Sequence, residues 1–228
     1  MRRKPSKPAA RAGVALFVDF DNTITLGDVL DRVIERFSAN DDWRVWETQW
    51  QSGRISAAEC LARQIGGLRA SRADLIEFVK STDIDPAFAS IVAWARSESA
   101  DLCIVSDNFE PLVNAILDCH HVPPVQVRAN RLDFGADQAK AIFPWRDPNC
   151  PRCAHCKAQH LRSVTDRVRV YVGDGLSDMC AAQVADIVFA KDRLATELSR
   201  EEIFFQRYST LDDVFHFLRT WSCAALIR

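Results

Sequence analysis

The chain has 228 residues, 48% of them hydrophobic and 26% charged, and a formal net charge of −2. That is ordinary for a soluble globular protein with one domain and an insertion, or two small domains, and long enough for a sizeable core. It provides no global basic field for nucleic acid or a membrane surface, and no stretch approaches the ~20 apolar residues of a membrane span.

Basic residues gather in Met1–Arg11, but the apolar stretch behind them, Gly13–Val18, is too short for a signal peptide. Residues 1–12 are expected to form a disordered tail on a cytoplasmic protein. The run Val14–Val18 then leads into Asp19 and Asp21, two carboxylates one residue apart. An apolar run bounded in this way predicts a buried strand, with both carboxylates at its carboxyl end. In open α/β sheets ligands bind at that edge.

Between Asp28 and about Ser97 the pattern is helical throughout. Amphipathic periodicity predicts helices near Val29–Phe37, Asp42–Gln51, Ser56–Ile65, Ser71–Lys80 and Pro86–Ser97. Ser56 with Glu59, and Ser71 with Asp74, are start signals; Gly53 and Gly66–Gly67 are stops. Such an insertion after the first strand lies over the edge bearing Asp19, as a cap at 28–97 on a core made of 13–27 and 98–228. Trp43, Trp46 and Trp50 share one helix face. Spacing leaves open whether they pack within the cap or wall a pocket.

Further strands are predicted at Leu102–Ser106, Val125–Arg128, Val168–Val172 and Asp186–Ala190. Helical segments separate most of them, at Glu110–Cys119, Lys157–Ser163 and Ser177–Val184. This alternation makes the fold class α/β: a three-layer, Rossmann-like parallel sheet with an inserted helical cap. A short hairpin is expected from Asn130–Gly135, returning through Ile142–Trp145. Ile203–Phe205 and a terminal helix at Leu211–Thr220 are expected to close the core.

Eight cysteines are scattered along the chain, and most are expected to be free thiols in a reducing compartment. Cys150, Cys153 and Cys156 stand out, with His155 and His160 nearby. This half-site is incomplete for structural zinc; a disulfide or redox pair and simple packed thiols are the other readings.

Four chemically active pieces fall at predicted strand or helix ends. Asp19 and Asp21 offer a nucleophile and a proton shuttle. Ser106 and the amides after it can bind an oxyanion, and Lys157 adds positive charge at a helix start. Gly173-Asp174-Gly175 follows a strand, with Asp174 facing Asp19 as a hard oxygen ligand suited to Mg²⁺, and Asp178 four residues on. Phosphoryl transfer uses such a set, because an attacking carboxylate and a phosphate repel unless the transferred group is neutralised.

In order and strand context, from Val14 to about Leu218, these pieces resemble the haloacid dehalogenase phosphatases. The resemblance implies that Asp19 forms an aspartyl-phosphate and that Asp21 is general acid and base. Mg²⁺ would be held by Asp19, the Asp21 backbone carbonyl and Asp174, with Asp178 completing the metal set by orienting its water or the lysine. Ser106, Asp107, Asn108 and Lys157 would contact the substrate, a small phosphorylated metabolite.

The insertion is similar to the cap of the phosphoserine phosphatase-like branch. Phe20–Asp28, Trp94, the cysteines running into Lys157, and Asp186–Asp192 look like two groups within it. These are the methionine-salvage enolphosphate phosphatases and the phosphoethanolamine/phosphocholine phosphatases. The former usually carry Ser-Gly-Gly where this chain has Ser106-Asp107-Asn108. Asp107 would cap the following helix or face a cationic substrate group. Phosphoserine is a further substrate alternative. A catalytically silent phospho-ligand binder and a zinc-dependent interaction module are the readings outside the enzyme class. Monomer and homodimer are both open.

Overall fold

The computed structural model describes residues 13–134 and 139–220. The expected basic tail at 1–12, the turn at Gly135 and Cys223 lie outside them. Among the described residues seven strands form one sheet: β1 (Val14–Val18), β2 (Asp101–Phe109), β3 (Gln126–Phe134), β4 (Ala139–Ile142), β5 (Val168–Gly173), β6 (Ile187–Ala190) and β7 (Gln206–Arg207). Their spatial order is β4-β3-β2-β1-β5-β6-β7. Every pairing is parallel except β3 with β4, so β1 sits centrally with β2 and β5 on either side.

All five residues of β1 are buried, because both faces of the sheet are covered. Val14, Leu16 and Val18 point into one core with α5 (Ala87–Ser97), α6 (Glu110–Cys119) and α10 (Leu211–Thr220). Ala15 and Phe17 point the other way, toward α7 (Ala158–Arg162) and α8 (Met179–Ala182). The strand period of two thus divides one short segment between two cores. A third cluster packs α9 (Asp192–Arg200) against Val188 and Ala190 of β6.

Between β1 and β2 come α1 (Val29–Phe37), α2 (Asp42–Gln51), α3 (Ala57–Gly66), α4 (Arg72–Val79) and α5. Ser71 and Asp74 form the predicted capping box of α4. Asp28 caps α1 by accepting the Asp31 N–H at 2.8 Å. No helix among the described residues is long and apolar enough to cross a membrane.

Several expectations shift. The strand predicted at Leu102–Ser106 runs on to Phe109, and the two segments predicted at Val125–Arg128 and Asn130–Gly135 are one strand through Phe134. Its return is Ala139–Ile142, three residues earlier than expected. Pro144 has no N–H to give a ladder, and Trp145 turns away to donate its indole N–H to Ala129 O at 3.1 Å. Ile203–Phe205 closes the core only in part: Ile203 and Phe205 pack against the α9 cluster, whereas Phe204 between them is 82% exposed.

Candidate active site

The Asp19 N–H bonds Val172 O at 2.9 Å, continuing the β1–β5 pairing by one residue. The Asp19 carboxylate therefore emerges where β5 also ends. Beyond it the chain turns tightly, with the N–H groups of Ile24 and Thr25 on Phe20 O at 2.9 and 3.0 Å. That turn aims Asn22 and Thr23 back at the end of β5. Asn22 Nδ2 donates to Asp174 Oδ2 at 2.8 Å, and Thr23 Oγ1 to Asp174 Oδ1 at 3.2 Å.

Lys157, at the start of α7 and buried, places Nζ 2.6 Å from Asp19 Oδ1 and 2.6 Å from Asp178 Oδ1. Burial alone would lower its pKa, but Asp178, Asp19 and Asp107 outweigh burial and hold it well above the ordinary lysine value. Asp178 also accepts the Tyr171 hydroxyl and, through Oδ2, the N–H groups of Asp174 and Gly175 at 2.9 and 3.0 Å. Four donors thus fix one buried carboxylate. Burial and the Asp178 charge push Asp19 above the ordinary carboxylate range, against the pull of Lys157.

Asp21 lies at the start of α1, accepting the N–H groups of Val29 and Leu30 at 2.9 and 3.3 Å, a favourable place for an anion. Asn108 Nδ2 lies 3.0 Å from both of its oxygens. Desolvation, with Asp28 nearby, nevertheless pushes Asp21 up to about 7. Ser106 is fully buried; its Oγ accepts Asn108 N–H at 2.9 Å and lies 3.5 Å from Asp21 Oδ2.

The expectation that Asp107 caps α6 does not hold. That helix has no side-chain cap, and Asp107 Oδ1 instead accepts His155 N–H at 2.9 Å. Behind it runs a chain of hydrogen bonds: Arg128 to His160 Nδ1 (3.3 Å), His160 Nε2 to His155 Nε2 (2.7 Å), His155 Nδ1 to Ser106 O (2.8 Å). An arginine can only donate and a carbonyl only accept, so both rings are neutral, protonated at Nε2 in His160 and Nδ1 in His155. Burial holds them there, lowering His155 to about 3 and His160 to about 4.

These groups surround a cavity of about 160 Å³. Asp19, Asp21, Asp107, Asn108, Lys157 and Asp174 line its floor; Leu30, Ile34, Trp50 and Leu61, with Asp28, Asp31 and Glu47, line the insertion side. Of the three tryptophans, Trp50 meets the cavity, whereas Trp43 packs on the main core. All eight sequence-predicted site residues meet in one region. The wall acids Asp28, Asp31 and Glu47 were not singled out; Asp28 carried a signal as the residue before a helix, Glu47 none.

The carboxylate oxygens of Asp19, Asp174 and Asp178 approach within 4.8 Å of one another, with the Lys157 ammonium set against two of these acids. Excess negative charge on hard oxygen donors fits a divalent cation of the Mg²⁺ type.

Residues 14–201 match the family described as Putative Phosphatase. The chain belongs to that family. A Brevibacillus brevis protein named 2-hydroxy-3-keto-5-methylthiopentenyl-1-phosphate phosphatase is 29% identical over 212 residues, covering 90% of this chain and 95% of the relative. Pdp3-interacting factor 1 of Schizosaccharomyces pombe is 26% identical over 230 residues, covering 90% and 95%. A phosphoserine phosphatase solved as a phospho-aspartyl intermediate analogue superposes with a TM-score of 0.71 at 15% identity, over 91% of this chain and 99% of that one. Fold and family agree with the enzyme class predicted from the sequence, a phosphatase on the haloacid dehalogenase fold.

Proposed function

We propose that this phosphatase hydrolyses a small phosphate monoester through Asp19, with Mg²⁺ as cofactor. The observation that carries the reading is the buried Lys157 ammonium, held 2.6 Å from both Asp19 and Asp178 on the floor of a cavity that Asp174 also lines. An Asp19 oxygen attacks phosphorus and the alkoxide leaves with the Asp21 proton, giving an aspartyl-phosphate. Asp21, now a carboxylate, takes a proton from water as that water attacks the same phosphorus, and Asp19 is released. A carboxyl that keeps its proton near neutral pH is a competent donor for the first step. Lys157 balances charge on Asp19 and the transferred group, and Asn108 fixes Asp21. Asp19, Asp174 and the Asp21 carbonyl would hold Mg²⁺, which neutralises phosphoryl charge when bound. Asp178 serves as the residue that positions Lys157 and the Asp174 loop.

An enolphosphate of the methionine-salvage type is the substrate reading supported by the names of several relatives and by the apolar wall of Leu30, Ile34, Trp50 and Leu61. A second reading, a phospho-amine such as phosphoethanolamine or phosphocholine, is favoured by Asp28, Asp31 and Glu47 on the same wall. Turnover on a panel of phosphorylated metabolites with Mg²⁺ tests both. Asp19→Asn should lower kcat by at least about 10³-fold on every substrate; retained turnover would overturn the nucleophile assignment. Glu47→Gln should raise KM about tenfold for phospho-amines if the acids bind ammonium, and leave a neutral enolphosphate unchanged. A cytoplasmic setting without nucleic-acid or membrane partners belongs to the same reading, supported by the net charge of −2 and the free described cysteines.

A further inference from the structure

Phe143–Lys157 forms no helix or strand over fifteen residues and ends on the lysine of the active site. A connection that long inside a compact fold needs something to fix it. Backbone bonds supply part: Cys156 N–H to Trp145 O at 3.0 Å, Ala57 N–H to Arg152 O at 2.9 Å. The rest of the segment turns its cysteines inward. The sulfurs of Cys150, Cys153 and Cys156 lie within 4.8 Å of one another. Both histidines considered as further ligands are engaged elsewhere, since each ring nitrogen of His155 and His160 has a partner in the chain from Arg128 to Ser106.

The missing ligand comes from another element. Cys180, in α8, packs on the same cluster, its sulfur 3.7 Å from that of Cys153. In a tetrahedral tetrathiolate with zinc–sulfur bonds of about 2.3 Å, neighbouring sulfurs are about 3.8 Å apart. All four thiols are free, and one disulfide between any two would leave the other two thiols of the cluster without a role. Three soft ligands within 4.8 Å of one another, each three residues after the last, and a fourth 3.7 Å from the middle one offer the donor set of a closed structural zinc site.

We infer that Cys150, Cys153, Cys156 and Cys180 bind one structural zinc ion, separate from the carboxylate site. The ion ties the Phe143–Lys157 connection to α8. Cys156 immediately precedes Lys157, and Cys180 follows Asp178 by two residues, so the ion fastens the two segments whose side chains pair at 2.6 Å in the active site. As the metal forms no part of the reacting set, the inference stands independently of the phosphatase mechanism.

Metal analysis of the full chain tests it, on protein purified with reductant and without chelator, after gel filtration in Mg²⁺ buffer. About one zinc per chain is expected in the wild type. Asp174→Asn, which disables the carboxylate site, should keep it, as should Cys60→Ser and Cys119→Ser. Cys153→Ser and Cys180→Ser should each lower zinc at least about tenfold. Growth in cobalt should give the thiolate-to-metal charge-transfer absorption of a tetrahedral sulfur site, so the wild type decides even if a serine variant does not fold. Zinc below about a tenth of an equivalent overturns the inference. So do iron as the sole metal, zinc lost with Asp174→Asn but kept in Cys180→Ser, and a Cys153–Cys180 disulfide in place of metal.

Discussion

Gly173 leaves no room for a side chain: a Cβ there would lie 2.7 Å from Asp178 Cγ and 2.9 Å from Tyr171 Cε1. The glycine thus admits a neighbouring carboxylate. Gly173→Ala should displace Asp178, loosen Lys157 and lower kcat at least about tenfold with little change in KM. An unchanged kcat in steady-state assays would mean that Asp178 does not set the lysine. Asp19, Asp21, Lys157 and Asp174 were legible because each ends a hydrophobic run or opens a helix, where position dictates exposure to the sheet edge. Cys180 was not, because it stands 24 residues beyond Cys156 inside a segment that reads as ordinary helix.

Helices here are tied down by single carboxylates. Buried Asp85 accepts Ala87 N–H at 2.9 Å and Leu211 N–H at 2.8 Å, joining the starts of α5 and α10. Asp85→Ala removes both bonds and should cost about 2–3 kcal/mol in urea unfolding. Asp213 accepts Ser209 and Thr210 N–H at 2.8 and 3.2 Å, and these bonds hold its pKa below the ordinary value. Since the folded state favours the charged form, Asp213 stabilises α10 above the unfolded pKa of about 3.9 and loses that effect as pH falls through its lower folded value. Asp213→Ala should therefore lower Tm at pH 7, and by less at pH 3. All five insertion helices were legible to within a residue or two from periodicity and caps. Helix α9 was missed although its Leu194, Ala195 and Leu198 carry the same periodic signal, and two-residue β7 is too short to carry any. The hairpin return was misplaced because the apolar Phe143 and Trp145 pack outside the ladder, whereas the pairing residues Ala139–Ile142 are mixed.

Across the whole molecule, the sheet order sets β1 between β2 and β5, so that Asp19, Asp107 and Asp174, far apart in sequence, share one edge. Convergence of acids costs stability until a cation offsets it. Millimolar Mg²⁺ should raise Tm by several degrees, and Asp174→Asn should abolish the rise, both read by thermal unfolding without substrate. Removing divalent metal should stop turnover, and Mg²⁺ should restore it.

The sequence alone determined the α/β class and the run of helices after β1, and it named the residues proposed for phosphoryl transfer, because burial periodicity and strand-end chemistry are local properties of the chain. The partners that hold these groups were decided only by tertiary structure: Asn108 on Asp21, Asp107 on the loop before Lys157, the neutral pair His155 and His160, Cys180 beside Cys153. Each joins segments separated by other elements, and such contacts exist only once the sheet has brought those elements together.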